Sequence, residues 1–197
     1  MKVLASFTDE YWKDFLKAAH EVNLAEMQKM AEIMWQVYLD GGTIYFMGNG
    51  GSASIASHLA ADIGKNTVKD RNNHQEKRFN TLALTDNIAW MTALANDEGY
   101  ENVFVEQLKN KNPNEKDLVV MISSSGNSPN VVKAAEWAKA QGIKTAAMVG
   151  YSGGKLKDIV DVAVWIPRNH YGYVEGLHED VHHYLVYALV ELKKGEK

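Results

Sequence analysis

The chain has 197 residues, of which 46% are hydrophobic and 23% charged, and its formal net charge is −4. These values are typical of a soluble protein folded as a single domain, 1–197, and they exclude a disordered or fibrous chain. The absence of cysteine excludes disulfides and cysteine-ligated metals, and it favours a reducing compartment such as the cytoplasm. The slight acidic excess disfavours binding to nucleic acid, and no apolar run reaches the roughly 18 residues of a membrane span.

Hydrophobic periodicity predicts the order of helices and strands. Over residues 8–40, apolar side chains recur at helical spacing until Gly41 and Gly42 end the pattern. Short apolar runs then alternate with helical stretches. The predicted strands are 43–47, 81–84, 118–122, 145–149 and 162–166. The predicted helices are 52–63, 88–94, 131–141, 155–160 and about 175–194.

This alternation predicts an α/β fold, in which a doubly wound, five-stranded parallel sheet carries helices on both faces and is preceded by N-terminal helices. Near-continuous apolar strands are typical of a parallel sheet that is covered on both sides. The polar segment 65–78 is the one long predicted loop, and its charges and asparagines predict mobility.

Two loops have the composition of an anion site. Residues 48–52 (Gly-Asn-Gly-Gly-Ser) follow the first predicted strand, and residues 123–128 (Ser-Ser-Ser-Gly-Asn-Ser) follow the third. Parallel sheets hold ligands at the carboxyl ends of their strands, where helix N-termini and hydroxyl groups attract phosphate. Capping of a helix is the alternative, and capping alone explains Ser128 before Pro129. Three consecutive serines exceed what a cap needs.

A dinucleotide site is the competing interpretation of the first loop. Residues 48–53 fit the pattern G-x-G-x-x-G/A, but the acidic residue expected about 20 positions later is missing, since Asp86 lies well beyond that distance. A dinucleotide-dependent oxidoreductase is therefore disfavoured, and two loops with serines suit a monophosphate better.

Histidines and carboxylates at four-residue spacing form two candidate groups. His58 and Asp62 share one helix face, and Glu179 and His183 share a face of the last helix with Tyr187, with His182 beside it. Imidazole and carboxylate from both helices suit zinc or a similar divalent ion. The alternatives are that His58 and Asp62 form an ion pair within their own helix and that the histidines of the last helix are half-exposed surface residues.

Three segments together resemble a known family. In their order and spacing, residues 48–52, 95–100 and 123–130 are similar to the SIS (sugar isomerase) domain, and most similar to the phosphoheptose isomerases. The resemblance implies that Ser52, Ser123, Ser125 and Ser128 hold a sugar phosphate and that Asn49 and Asp97 lie along the sugar hydroxyls. The substrate-binding residues expected are Asn49, Gly50, Ser52, Asn96, Asp97, Ser123, Ser124, Ser125 and Ser128.

The same resemblance implies an activity and an assembly. It implies an aldose–ketose isomerase that acts on a phosphorylated sugar, with sedoheptulose 7-phosphate as the expected substrate and segment 1–40 packing a homotetramer. The catalytic residues expected are Asp62, Glu179 and His183, and the expected ligands of a divalent metal, zinc being the expected ion, are His58, Asp62, Glu179 and His183. The resemblance places an imidazole at Tyr187, and His183 is included because it lies one turn earlier on the same helix face and can replace it.

The chain departs from the family pattern at three of these positions. Asp62 replaces a glutamate, Glu179 replaces a glutamine, and Tyr187 replaces a histidine. Placing Glu179 requires a one-residue insertion after Tyr173, and a shift by one residue would put His178 there instead. A non-catalytic SIS module that senses a sugar phosphate or acts as a scaffold is thus the second hypothesis, and Tyr187 is the residue that favours it.

Overall fold

The computed structural model describes residues 2–195, in which two helices precede an alternation of strands and helices. No helix in this range combines the length and the apolar character needed to cross a membrane. The elements are α1 (Lys2–His20), α2 (Leu24–Asp40), β1 (Thr43–Gly48), α3 (Gly51–Asn66), β2 (Asn80–Ala83), α4 (Ile88–Asp97), α5 (Val103–Lys111), β3 (Leu118–Ser123), α6 (Pro129–Ala140), β4 (Lys144–Val149), α7 (Gly154–Ile159), β5 (Val162–Trp165) and α8 (Tyr171–Gly195).

All five strands are parallel, in the order β2-β1-β3-β4-β5. Phe46 in the middle of β1 is in register with Ala83 of β2 and Val120 of β3. The chain moves from β1 outward to β2 and then returns to the other side of β1 for β3. At such a reversal the loops that leave the two central strands diverge to opposite faces and open a crevice. The predicted fold class is confirmed.

Two hydrophobic cores cover the two faces of the sheet. Every residue of β3 is buried, with Val120 facing the core formed by α2, α3 and α8, and Val119 facing the core formed by α5 and α6. Successive strand residues point to opposite faces, so a strand between two helical layers must be apolar at every position. This requirement explains the unbroken apolar runs in the sequence.

The N-terminal helical stretch is divided in two, and one helix was not predicted. Asn23 caps α2 by accepting hydrogen bonds from the backbone N–H groups of Ala25 and Glu26, and this cap separates α1 from α2. The unpredicted helix is α5, of only nine residues, which buries Val103, Phe104 and Leu108. It is too short for a clear helical period.

The polar loop after α3 is attached to the last helix. The Glu76 carboxylate accepts hydrogen bonds from the backbone N–H groups of Lys69 and Asp70, at 2.8 and 2.9 Å. Lys193, whose side chain is 2% exposed, donates to Glu76 at 2.6 Å and to the Lys77 carbonyl at 2.9 Å. The bond from Lys193, helped by the two backbone bonds, lowers the pKa of Glu76 to about 2.

The contact between Lys193 and Glu76 is expected to stabilise the fold in a pH-dependent way. The folded pKa of Glu76 lies below its ordinary value of 4.5, so its stabilising effect is complete above about pH 4.5 and is lost as the pH falls towards 2. Lys193→Met should lower the midpoint of thermal unfolding by several degrees at neutral pH, and by less in acid. Circular dichroism melts across this pH range measure the difference.

Lys194→Met is the matched control, because Lys194 forms an exposed ion pair with Glu191 on the same turn of α8. Such surface pairs contribute little. The stabilising role of the Lys193–Glu76 contact would be contradicted if both variants lowered the unfolding midpoint equally. It would also be contradicted if the decrease caused by Lys193→Met did not change with pH.

Candidate active site

The loops after β1 and β3 enclose a cavity of about 220 Å³ at the carboxyl edge of the sheet. It lies at the reversal of strand order described above. Six of the predicted substrate-binding residues line it: Asn49, Ser52, Ser123, Ser124, Ser125 and Ser128. Tyr151 and Glu175, which the sequence analysis did not select, also line it.

The serine loop holds its hydroxyls at fixed positions. The backbone N–H of Gly126 donates to Ser123 Oγ at 3.2 Å, and that of Asn127 donates to Ser125 Oγ at 3.2 Å. Gly126 has a φ of 64° and a Cβ there would lie 2.0 Å from the Gly153 carbonyl oxygen, so only glycine fits. The loop is thereby packed tightly against the start of α7.

Two hydroxyls of this loop are not used by the fold. Ser128 stands at the N-cap of α6, but its side chain makes no capping hydrogen bond. Ser124 Oγ is buried and has no hydrogen-bond partner in the described part of the chain. Buried polar atoms are ordinarily paired, so the Ser124 hydroxyl fits contact with a ligand, and the Ser128 hydroxyl is not used for capping.

Asn49 joins the two loops. Its amide exchanges two hydrogen bonds with the amide of Asn130, at 2.8 and 2.9 Å, and its Oδ1 accepts a further one from the Tyr100 hydroxyl at 2.9 Å. Asn96 and Asp97 are bonded to each other at 2.7 Å at the exposed end of α4 and do not line the cavity. The segment that carries them reaches the cavity wall through Tyr100.

A cluster of three histidines and two carboxylates lies where α3 packs against α8. His58 Nδ1 is 2.7 Å from Glu179 Oε1, and His58 Nε2 is 3.4 Å from Asp62 Oδ2. His182 lies 3.4 Å from Asp62 and 3.6 Å from Glu179 through its two ring nitrogens. His183 is at the rim, 4.0 Å from Glu179 and about half exposed. The structure therefore brings together all of the predicted metal and catalytic residues.

His182 is the member of this cluster that the sequence analysis did not select. Its side chain is fully buried, and neither ring nitrogen has a hydrogen-bond partner among the described residues. Burial lowers its pKa, with Glu179 acting in the opposite direction, which favours the neutral imidazole that a metal requires. Its spacing from Leu185 and Leu189, on the buried stripe of α8, is the signal that marks it as inward-facing.

Tyr187 and His178 lie outside the cluster. Tyr187 is 71% exposed, so it does not occupy the place of the histidine that the family resemblance implies. His178 is buried elsewhere under the sheet, where burial lowers its pKa to about 4. Glu179, rather than His178, is the residue of this stretch that reaches His58.

The cluster offers donors suited to a divalent cation. Two sets of three donor atoms, His58/Asp62/His182 and Glu179/His182/His183, each lie within 4.8 Å of one another. A hydrogen-bonded ion pair alone would account for His58, but it does not explain why buried His182 has both ring nitrogens near carboxylates and no hydrogen bond among the described residues. Nitrogen and carboxylate oxygen donors are the set that zinc prefers in the absence of cysteine.

The same two helices carry the cavity and the cluster. Ser52 and Glu175 line the cavity, while His58 and Glu179 belong to the cluster. At 1.5 Å per residue, these pairs are separated along their helices by about 9 Å on α3 and about 6 Å on α8. A phosphorylated open-chain sugar spans a comparable length.

Comparisons with known proteins agree with this arrangement. The SIS domain family matches residues 9–150. The phosphoheptose isomerase of Helicobacter pylori strain P12 is 36% identical over 172 residues, covering 84% of this chain and 86% of the relative. That of Akkermansia muciniphila is 37% identical over 166 residues, covering 84% of each.

A solved structure of the phosphoheptose isomerase from Neisseria gonorrhoeae superposes with a TM-score of 0.84 at 27% identity, over 94% of this chain and 98% of that one. The chain therefore belongs to the phosphoheptose isomerases, a family of phosphosugar isomerases built on the SIS domain.

Proposed function

We propose that the protein interconverts sedoheptulose 7-phosphate and an aldoheptose 7-phosphate. The observation that carries the proposal is the placement of a serine-lined cavity and a histidine–carboxylate cluster on the same two helices, α3 and α8. Their separation lets one substrate place its phosphate in the cavity and its reacting carbons at the cluster. The names of the relatives support the choice of a heptose.

The cavity anchors the substrate by its phosphate. The hydroxyls of Ser52, Ser123, Ser124, Ser125 and Ser128 donate to the phosphate oxygens, together with the backbone N–H groups at the start of α3, after Gly50, and of α6. Asn49, which lines the cavity, is assigned to the sugar hydroxyls, whereas Asn96 and Asp97 lie outside the cavity and are given no contact with the substrate. Anchoring holds the reacting carbons in place, which removes most of the entropic cost of reaching the transition state.

The cluster moves protons between adjacent carbons. In the ketose, a base removes a proton from C1 to give an enediolate, a proton is delivered to C2, and a hydroxyl proton moves from O1 to O2, which leaves an aldehyde at C1. We assign to the carboxylates of Asp62 and Glu179 the removal of the proton from C1 and its delivery to C2. We assign to His183, the exposed imidazole at the rim of the cluster, the transfer of the hydroxyl proton from O1 to O2.

The residues present fit a divalent metal ion, and zinc is the ion proposed. His58, Asp62, Glu179 and His182 would hold it, because His182 is the buried imidazole whose nitrogens lack partners. A metal bound there supplies a Lewis acid that stabilises the negative charge of the enediolate. This assignment adds His182 to the ligands implied by the family resemblance and leaves His183 for proton transfer.

Tyr187 supports a second candidate function, a non-catalytic module that binds a sugar phosphate as a sensor or scaffold. The tyrosine is exposed and contributes nothing to the cluster. His182 argues against this candidate, since it supplies a buried imidazole in contact with both carboxylates.

A homotetramer packed through the N-terminal helical segment, about residues 1–40, is also proposed. The outer face of α1 exposes Leu4, Phe7, Trp12 and Leu16, each more than half accessible. Contiguous apolar side chains of this size ordinarily lie in an interface. A cytoplasmic location, based on the lack of cysteine, stays a prediction.

The catalytic proposal is tested by incubating the full chain with sedoheptulose 7-phosphate, with added zinc and with a chelator. We expect new anomeric signals of an aldose in the NMR spectrum with zinc and a much slower reaction with the chelator. Tight binding of the sugar phosphate without any turnover under either condition would instead establish the non-catalytic module.

The serine loop is tested by Ser125→Ala. This change should weaken binding of the sugar phosphate by about 1–3 kcal/mol, the cost of losing a hydrogen bond to a charged group, as measured by titration calorimetry. Ser54→Ala is the control, because Ser54 is exposed on the first turn of α3 and does not line the cavity. Unchanged affinity of the Ser125 variant would assign the loop to helix capping.

The metal assignment is tested by His58→Ala and His182→Ala. Each variant should lose zinc uptake and isomerisation while keeping phosphate binding, and uptake by the parent protein should fall in acid because a ligating imidazole must be neutral. Tyr187→Phe should leave metal content unchanged. Metal analysis after dialysis measures uptake, and stoichiometric zinc retained by His182→Ala would show that His182 is structural.

A further inference from the structure

Glu175 is the one charged side chain that lines the phosphate cavity. The other lining groups are serines, Asn49, Tyr151 and an apolar residue, so the cavity contains no lysine or arginine. A phosphate site without a cation relies on neutral N–H and O–H donors. A carboxylate in its wall therefore needs an explanation.

The carboxylate of Glu175 lies against the first residue of α3. A Cβ built on Gly51 would lie 2.7 Å from Glu175 Oε2 and 3.1 Å from Oε1, so the carboxylate lies directly beside the backbone at the start of α3. The negative charge is favourable next to the N-terminus of a helix. Within residues 2–195, the Glu175 side chain forms no ion pair or hydrogen bond.

Glu175 also stands between the cavity and the cluster. It precedes Glu179 by four residues on α8, so the two side chains leave the same face of the helix one turn apart. A sugar with its phosphate among the serines and its reacting carbons at Glu179 has to pass Glu175. With a sugar bound in this way, the carboxylate would lie beside the sugar hydroxyls that come next to the phosphate.

We infer that Glu175 is a specificity-determining residue that selects phosphorylated sugars and rejects free phosphate. The inference rests on the proposed function for the choice of sugar. A carboxylate only accepts hydrogen bonds, so it stabilises a ligand that offers hydroxyl donors. It repels a second negative charge that is not screened by such donors. A polyhydroxylated phosphate ester satisfies Glu175, whereas inorganic phosphate does not.

The test compares the affinities of inorganic phosphate and sedoheptulose 7-phosphate by calorimetry, with a chelator present so that neither reports on a metal. Glu175→Gln keeps the shape and removes the charge. We expect it to bind inorganic phosphate about tenfold more tightly, because one repulsion is lost. We expect it to bind the sugar phosphate about tenfold more weakly, because the charged hydrogen bond lost to the sugar hydroxyls outweighs the same relief of repulsion.

Two further variants separate charge from structure. Glu175→Asp keeps the charge and should continue to reject inorganic phosphate. Glu191→Gln, on the exposed end of α8, should leave both affinities unchanged. The inference is overturned if Glu175→Gln changes both affinities in the same direction by the same factor, or if it changes neither affinity. It is also overturned if the parent protein binds neither ligand. Opposite shifts without any turnover by the parent protein would uphold Glu175 and refute the isomerase.

Discussion

The packing of α3 against α8 is the constraint on which the site depends. Ile55 and Leu59 of α3 and Val181 and Leu185 of α8 share one core under the sheet. This apolar contact brings His58 within 2.7 Å of Glu179, although the two residues are 121 positions apart in the chain. The contact supplies free energy through burial of apolar surface, and the polar cluster follows from it.

The cluster makes the packing costly in one respect. The ring nitrogens of buried His182 lie 3.4 and 3.6 Å from carboxylate oxygens but form no hydrogen bond among the described residues, and a buried polar group without a hydrogen bond costs about 1–3 kcal/mol. A bound ion would remove that cost and would join the two helices directly, so metal affinity and fold stability are coupled. The hydrophobic contacts between α3 and α8 thus hold the histidines and carboxylates of the cluster in place.

Much of this arrangement was predictable from local sequence. The apolar strands, the serine loop and the spacing of His58 and Asp62 are local patterns, and the structure has them where they were expected. The inward direction of His182 follows from its helical spacing to Leu185 and Leu189, but its approach to Asp62 depends on how α8 packs against α3. The approach of Glu175 to Gly51 likewise joins distant segments, so no local period reports it.

Because α8 is long, the contact between Lys193 near its end and Glu76 of the polar loop has an additional role. The helix has 25 residues, about 37 Å, and it carries Glu175 near its start and Lys193 near its end. All residues of a rigid helix move together along its axis, so the contact between Lys193 and Glu76 helps to fix the position of the whole helix relative to α3. A slip of α8 by one turn would carry Glu179 into the place of Glu175 at the cavity, or Glu175 into the place of Glu179 in the cluster, so an anchor remote from the substrate keeps the two carboxylates in register.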